Sequence, residues 1–96
     1  MKLVRTENLR FIDRNKLGAY GFFEHEGQEY RAELSYYAQA GSCLSIKLGR
    51  HDPAIATELL NDYLREHLQE MKRQINPEVA RAYQERRAAF NSTDSN

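Results

Sequence analysis

The chain has 96 residues, in which 14 Lys and Arg balance 14 Asp and Glu, with one Cys and 41% hydrophobic side chains. This length predicts one small domain, whose core buries only about 60–65% of the surface that the unfolded chain exposes. Zero net charge gives no support for nonspecific binding to nucleic acid or to an anionic membrane. One Cys excludes an intramolecular disulfide. No apolar run approaches the ~20 residues that span a bilayer and no signal peptide is visible, so we expect a cytoplasmic protein.

The first seventeen residues have the weakest pattern in the chain. Leu9 to Ile12 predict a short strand that ends in a turn at Asp13-Arg14-Asn15. The alternative is a helical turn capped by Thr6, because Thr is a favoured N-cap residue. We favour the strand, at residues 9–12.

The middle of the chain predicts a meander of three antiparallel strands, at residues 19–24, 28–38 and 42–48. The segments His25-Glu26-Gly27 and Gln39-Ala40-Gly41 are interpreted as three-residue loops, each ending in a Gly that adopts the left-handed region easily. A two-residue loop at Glu26-Gly27 would move two aromatic residues to the other face of the sheet, and the alternation argues against it. The three-residue register places one apolar set on a single face: Tyr20, Phe22, Tyr30, Ala32, Leu34, Tyr36, Leu44, Ile46 and Leu48.

The opposite face of this predicted sheet is mostly polar. Phe23 and Tyr37 are the aromatic residues on it, and Cys43 faces Tyr37 across the strands. Arg31 and Lys47 also lie on this face. Exposed aromatic rings among charges are typical of interface anchors, so this face is a candidate binding surface.

Helical signals begin after Gly49. Asp52-Pro53 predicts an N-cap followed by proline at the first helical position, and apolar residues then recur at three- and four-residue spacing, which predicts a helix at 53–74. Asn76-Pro77 predicts a second, weaker helix at 77–90. The polar residues 91–96 are expected to form a disordered tail. The predicted fold class is therefore α+β: an antiparallel meander of three or four strands packed by a long helix and followed by a second helix, in one domain at 1–90.

The predicted first helix is longer than the predicted strands. About 22 helical residues span ~33 Å, whereas strands of about seven residues span ~23 Å. The excess carries Met71 and Ile75, which would need cover from the second helix or from another chain. We therefore predict a homodimer built on the C-terminal helices.

Four positions offer chemistry, and each has a simpler structural explanation. His25 lies between two glutamates at a hairpin tip, but neighbours on a strand point to opposite faces. His51 with Asp52 could anchor an anion at a helix start, although Asp52 itself caps such a start. His67 precedes Glu70 without a third metal ligand, and no base can be assigned to Cys43. We predict no catalytic site, no metal site and no cofactor.

The function expected from these observations is a small non-enzymatic binding or regulatory module, of inhibitor or accessory-factor type, that contacts a protein partner. The alternative is nucleic-acid binding through a basic N-terminal arm and helix arginines, although cations at helix C-termini are also what the helix dipole favours. An unrecognised enzyme is the third possibility. The protein-interface candidates are Phe23, Tyr37, Arg31, Lys47, Met71, Ile75, Tyr83 and Phe90, and the nucleic-acid candidates are Arg5, Arg10, Arg14, Lys16, Arg81, Arg86 and Arg87.

Charge is distributed unevenly along the neutral chain. The net charge is +3 for residues 1–17, −3 for 18–33, +2 for 34–50, −4 for 51–70, +3 for 71–90 and −1 for 91–96. Alternating charge of this kind suits complementary self-association or a partner of mixed charge better than a uniformly anionic partner. The pattern therefore favours protein over nucleic acid.

Overall fold

A four-stranded antiparallel sheet followed by two helices forms the fold. The computed structural model describes the backbone of residues 1–94 and the side chains of residues 1–89. The strands lie side by side in chain order, so the predicted α+β meander is confirmed, and its fourth strand is the N-terminal segment. The elements are β1 (Lys2–Asp13), β2 (Lys16–His25), β3 (Gln28–Gln39), β4 (Ser42–His51), α1 (Thr57–Glu66) and α2 (Leu68–Asp94). β1 is thus much longer than the predicted strand at 9–12, and the alternative of a helical turn at Thr6 is wrong.

Both central hairpins turn through two residues rather than three. Glu26 and Gly27 have φ angles of 51° and 81°, and Ala40 and Gly41 have φ angles of 54° and 80°. Positive φ at both central residues is the type I′ turn, whose twist matches that of the flanking strands. The three-residue register was therefore wrong, and His25 pairs directly with Gln28.

The corrected register exchanges the two faces of β2. Leu17, Ala19 and Phe23 are buried on the face that packs against the helices, called here the core face. Tyr20 and Phe22 lie on the opposite, outer face. Phe23, predicted on the outer face, pairs with Tyr30 and is completely buried.

A register shift near the start of β4 returns the later residues of that strand to their predicted faces. Cys43 pairs with Ala38, whereas Tyr36 pairs with Ile46, so β4 carries one extra residue between these pairs. Cys43 is consequently buried on the core face instead of facing Tyr37. Leu44, predicted in the core, is 45% exposed.

The helix boundaries differ from those predicted at both proline motifs. The Asp52 carboxylate accepts the N–H of Ala54 in a turn, and α1 begins only at Thr57, without a side-chain cap. The helices separate at His67, whose φ of −113° and ψ of 18° depart from helical values, while Pro77 lies inside α2. α2 continues to Asp94, where a disordered tail was predicted from residue 91; residues 95 and 96 lie outside the described part of the chain.

Both helices cover the core face. Leu60, Met71, Ile75 and Val79 are buried there with the strand residues. Strands of 10 to 12 residues span roughly 33–40 Å, similar to the ~40 Å of α2. Contrary to the prediction, Met71 and Ile75 therefore do not overhang the sheet. Within residues 1–94, neither helix combines the length and apolar character needed to cross a membrane.

Candidate binding surface

The helices leave the outer face of the sheet open. Both helices pack on the opposite side, against β4 and β1. The strand register brings charged, hydroxyl and aromatic side chains together on this face. They are Arg5, Glu7, Arg10, Lys16, Tyr20, Phe22, Glu29, Arg31, Glu33, Ser35, Tyr37, Ser45 and Lys47.

Three arginines lie against two aromatic rings on the outer face, and we call this set the arginine–aromatic patch (Arg5, Arg10, Tyr20, Phe22, Arg31). The Arg5 guanidinium lies 4.1 Å from the centre of the Phe22 ring. The guanidiniums of Arg10 and Arg31 lie 5.4 and 5.2 Å from the centre of the Tyr20 ring. These distances fall within the range of cation–π attraction. The patch is therefore an organised group of side chains rather than separate surface residues.

Two glutamates add negative charge to this patch. Arg5 Nη1 donates to Glu29 Oε1 at 2.8 Å, and Arg5 Nε donates to Glu7 Oε2 at 3.1 Å. Hydrogen bonding to Glu29 and then to Glu7 raises the pKa of Arg5 above its usual value. The patch therefore presents positive charges, negative charges and aromatic rings side by side.

A second group, called here the lysine–hydroxyl depression, lies beside the patch on the same face. Lys16, Ser35, Tyr37, Ser45 and Lys47 line a shallow depression of about 180 Å³. Tyr37 is 47% exposed, so its ring is available to a partner. The depression combines two ammonium groups with three hydroxyl groups.

Arg86 of α2 contacts the turn between β1 and β2. Arg86 Nη1 donates to the Arg14 carbonyl at 3.0 Å, and the Arg86 guanidinium lies 3.9 Å from the Phe11 ring centre. The Tyr83 hydroxyl donates to the Ala38 carbonyl at 3.2 Å, so this half of α2 lies over the same end of the sheet. We call this region the basic end (Arg10, Arg14, Lys16, Lys47, Arg81, Arg86, Arg87). It contains six of the seven nucleic-acid candidates, and Arg5 lies toward the opposite end.

The protein-interface candidates divide into exposed and buried groups. Arg31, Tyr37 and Lys47 are exposed on the outer face, as predicted. Phe23, Met71 and Ile75 are at most 3% exposed, so they present no surface to a partner. Tyr83 is half-buried against Phe11, at 5.0 Å between ring centres. The side chain of Phe90 lies outside the described residues.

Cys43 and His51 lie at opposite ends of β4, so the structure does not bring them together as a nucleophile and base. Burial raises the pKa of the Cys43 thiol, and Asn76 accepts the backbone N–H of Cys43 at 2.9 Å. His51 lies 2.8 Å from the Thr57 hydroxyl and 2.8 Å from the Asp52 carbonyl. These contacts fix His51 at the start of the connection to α1.

The remaining histidines have structural partners. His67 stacks on Tyr63 with 4.3 Å between ring centres and lies 3.6 Å from a Glu70 carboxylate oxygen. His25 lies 3.9 Å from a Glu26 carboxylate oxygen at the hairpin tip. Among the described residues, no group of three or more His, Cys, Asp or Glu side chains could hold a metal ion.

A cleft of about 290 Å³ separates β1 from α2 on the core side. Leu3, Met71 and Ile75 supply apolar walls, and Tyr36 lies in the lining. Tyr36 is 1% exposed, and its burial raises the pKa of its hydroxyl. Arg5, Thr6 and Glu78 also line the cleft, so its walls are both apolar and charged.

The arginine–aromatic patch was missed in the sequence because Tyr20 and Phe22 were placed in the core. The turn sequences contain a signal for it. A residue followed by Gly, placed between two strands, is also the pattern of a two-residue type I′ loop, which gives the correct faces. Searches against protein-family models, curated proteins and solved structures found no match to this chain.

Proposed function

We propose that this protein is a non-catalytic binding or regulatory module, of inhibitor or accessory-factor type, that binds another protein through its outer face. The observation that carries the proposal is the arginine–aromatic patch. Arg and Tyr are among the residues that contribute most binding energy at protein interfaces. Their position on a sheet, rather than on a loop, reduces the entropy lost when a partner binds.

The chemistry of the patch favours protein over nucleic acid as the partner. Guanidiniums already lie against the Tyr20 and Phe22 rings, so a base would have to displace them in order to stack. Glu7 and Glu29 hold Arg5, and both would repel phosphate. A protein surface of mixed charge can pair with the arginines and the glutamates together.

Affinity capture with a patch variant tests the proposal. The full chain, immobilised, is exposed to a lysate of its source cells, and bound proteins are quantified by mass spectrometry. The double variant Tyr20→Ala/Arg31→Ala removes one ring and one cation of the patch. The control Leu59→Ser changes a residue that is 41% exposed on α1, away from the outer face. We expect at least one protein to bind the wild type and the control but not the patch variant, with all three chains giving the same circular dichroism spectrum. Capture of the same proteins by all three chains would reject the proposal.

Nucleic-acid binding is the second candidate, because the basic end joins arginines from both ends of the sequence. Arg14 and Arg86 are in contact, and Arg81 and Arg87 are exposed on the same half of α2. Asp13, Glu78 and Glu85 reduce the positive charge of this region. Fluorescence anisotropy with single- and double-stranded oligonucleotides at ~50 mM salt tests this candidate, since phosphate contacts are strongest at low salt. Absence of binding under these conditions removes it.

The homodimer remains a prediction, and the structure weakens the argument that the sequence gives for it. Its argument depended on Met71 and Ile75, which are buried within the chain. Sedimentation velocity at micromolar concentration tests it, and a single monomeric species would exclude the dimer.

A cytoplasmic location is likewise proposed from the single unpaired Cys43 and is tested by fractionation of source cells.

A further inference from the structure

The lysine–hydroxyl depression is built on three adjacent strands. Lys16 on β2 pairs with Tyr37 on β3, which pairs with Ser45 on β4. Ser35 pairs with Lys47 one row further along the sheet. Groups held on strands keep more precise positions than groups on loops. The backbone positions of the five residues are therefore fixed before any ligand arrives.

The polar groups of the depression are unsatisfied by the described residues. Within residues 1–89, Lys16 and Lys47 form no salt bridge, and the hydroxyl groups of Ser35, Tyr37 and Ser45 form no hydrogen bond. Two acids are neighbours in the register: Asp13 pairs with Lys16, and Glu33 lies two residues before Ser35 on the same face. Asp13 accepts the backbone N–H of its neighbour in the turn. A bound anion would relieve the repulsion between the two ammonium groups and accept from the hydroxyls.

The charge and donor count of the depression match a phosphate monoester. Such a group carries a charge of about −1.5 to −2 near pH 7 and presents three strong acceptor oxygens. We propose that the depression binds a phosphate monoester, carried either by a small molecule or by a phosphorylated side chain of a protein. A phosphodiester has one negative charge and two unesterified oxygens, so it uses the five groups less completely. The surrounding basic end adds longer-range attraction for a dianion.

This site goes beyond the proposed function, because a free monoester can bind without any contact to the arginine–aromatic patch. The two proposals can also fail separately. The capture experiment changes Tyr20 and Arg31, neither of which lines the depression. The phosphate experiment changes Lys16 and Lys47 and needs no protein partner.

Titration of the ¹⁵N-labelled full chain with inorganic phosphate tests the site. Ionic strength is held constant with NaCl, and amide shifts are followed to ~50 mM phosphate, a range that detects millimolar affinity. We expect saturable shifts centred on residues 16, 35–37 and 45–47. The double variant Lys16→Gln/Lys47→Gln should weaken binding by roughly tenfold or more, because charged hydrogen bonds supply most of the affinity.

Lys2→Gln is the matched control, since Lys2 is an exposed lysine that pairs with Glu24 far from the depression. It should bind phosphate like the wild type. A further variant, Ser45→Ala, removes one hydroxyl without changing charge and should weaken binding more mildly. Shifts that do not saturate, or that persist in the double lysine variant, would overturn the proposal.

Two further ligands identify the chemistry and its source. Dimethyl phosphate should bind roughly tenfold more weakly than inorganic phosphate, because it lacks one charge and one acceptor; equal binding would overturn the monoester assignment and favour a nucleic-acid backbone. Free phosphoserine and a short phosphoserine peptide separate the two sources. Tighter binding of the peptide supports a protein-borne monoester, and equal binding supports a small molecule.

Discussion

Gly21 occupies a position on the core face of β2 where a side chain has no room. A Cβ built there would lie 2.8 Å from Leu34 Cδ1 and 3.1 Å from the Phe23 ring, and both residues are almost fully buried. We predict that Gly21→Ala lowers the free energy of unfolding by about 1–3 kcal/mol, the usual cost of overpacking a core. Urea denaturation measures this change.

Gly18→Ala is the control for that substitution, because it adds the same methyl group to the same strand. The added Cβ would meet the Cγ2 methyl group of Ile12 at 3.2 Å, and Ile12 is 48% exposed, so its side chain has room to move. We expect a clearly smaller loss of stability than at Gly21. Equal losses at the two positions would mean that the register places the core face incorrectly.

Two buried acids should make stability fall at alkaline pH. Burial raises the pKa of Tyr36 and of Cys43 in the folded state. In the unfolded chain these groups lose their protons near pH ~10 and ~8.5. The folded state then binds more protons than the unfolded state, so the free energy of unfolding decreases as pH rises above these values.

Urea denaturation between pH 7 and pH 11 measures this dependence. Tyr36→Phe should flatten the decrease above pH ~10, and Cys43→Ala should flatten the part that begins near pH ~8.5. Tyr37→Phe, which removes an exposed hydroxyl from the adjacent position, should leave the slope as in the wild type. A wild-type curve that is flat to pH 11 would contradict the burial of both groups.

At the scale of elements, the turns decide which side of the sheet every residue faces. Glu26 and Ala40 hold positive φ angles that cost a residue with a Cβ some energy, whereas Asn tolerates them. We predict that Glu26→Asn and Ala40→Asn each raise the free energy of unfolding by roughly 0.5 kcal/mol, because Asn-Gly is the preferred type I′ sequence. Thermal and urea unfolding measure the gain.

This prediction distinguishes the two loop lengths. In a three-residue loop the residue before Gly adopts the right-handed region, where Asn offers no advantage. Gln28→Asn, which changes a strand residue just outside the first turn, is the control and should give no gain. Absence of stabilisation at both Glu26 and Ala40 would support the three-residue register.

The existence and type of these elements could be predicted from the sequence, but their register and boundaries could not. Alternation and glycine positions identify the strands equally well for either loop length, and a change of one residue reverses the faces. Asp52-Pro53 is an equally good start for a helix or a turn. The Asp52 carboxylate accepts the Ala54 N–H in a turn, and the Asp52 N–H donates to the Arg31 carbonyl of β3. Asn76 precedes Pro77 without ending the helix, and its side chain accepts the Cys43 N–H of β4 instead of capping a new helix. Such contacts join residues that are distant in sequence and leave no local pattern.

At the scale of the whole molecule, the meander converts charge that alternates along the chain into charge that is separated in space. Alternate turns of a meander lie at the same end of the sheet, so the turns at 14–15 and 40–41 are neighbours. α2 runs back to that end and adds its arginines. The three positive segments of the sequence therefore all contribute to the basic end, although the net charge is zero. Composition alone could not predict this, because it depends on the order of the strands.

Paramagnetic co-solutes of opposite charge can measure this separation. An anionic probe should enhance the relaxation of the Asn15 and Gly41 amides more than a cationic probe does. The order should reverse at Gly27, which lies among Glu24, Glu26 and Glu29. Both differences should disappear at ~1 M salt, where the Debye length is about 3 Å.

Arg14→Gln/Arg87→Gln reduces the charge of the basic end without touching the core, since both side chains are exposed. The preference of the anionic probe for Asn15 and Gly41 should shrink in this variant, while the values at Gly27 stay unchanged. Equal enhancement of all three amides by both probes would show that charge is as balanced in space as in composition. The basic end would then lack the long-range attraction that favours an anion in the lysine–hydroxyl depression, and binding there would depend on its five side chains alone.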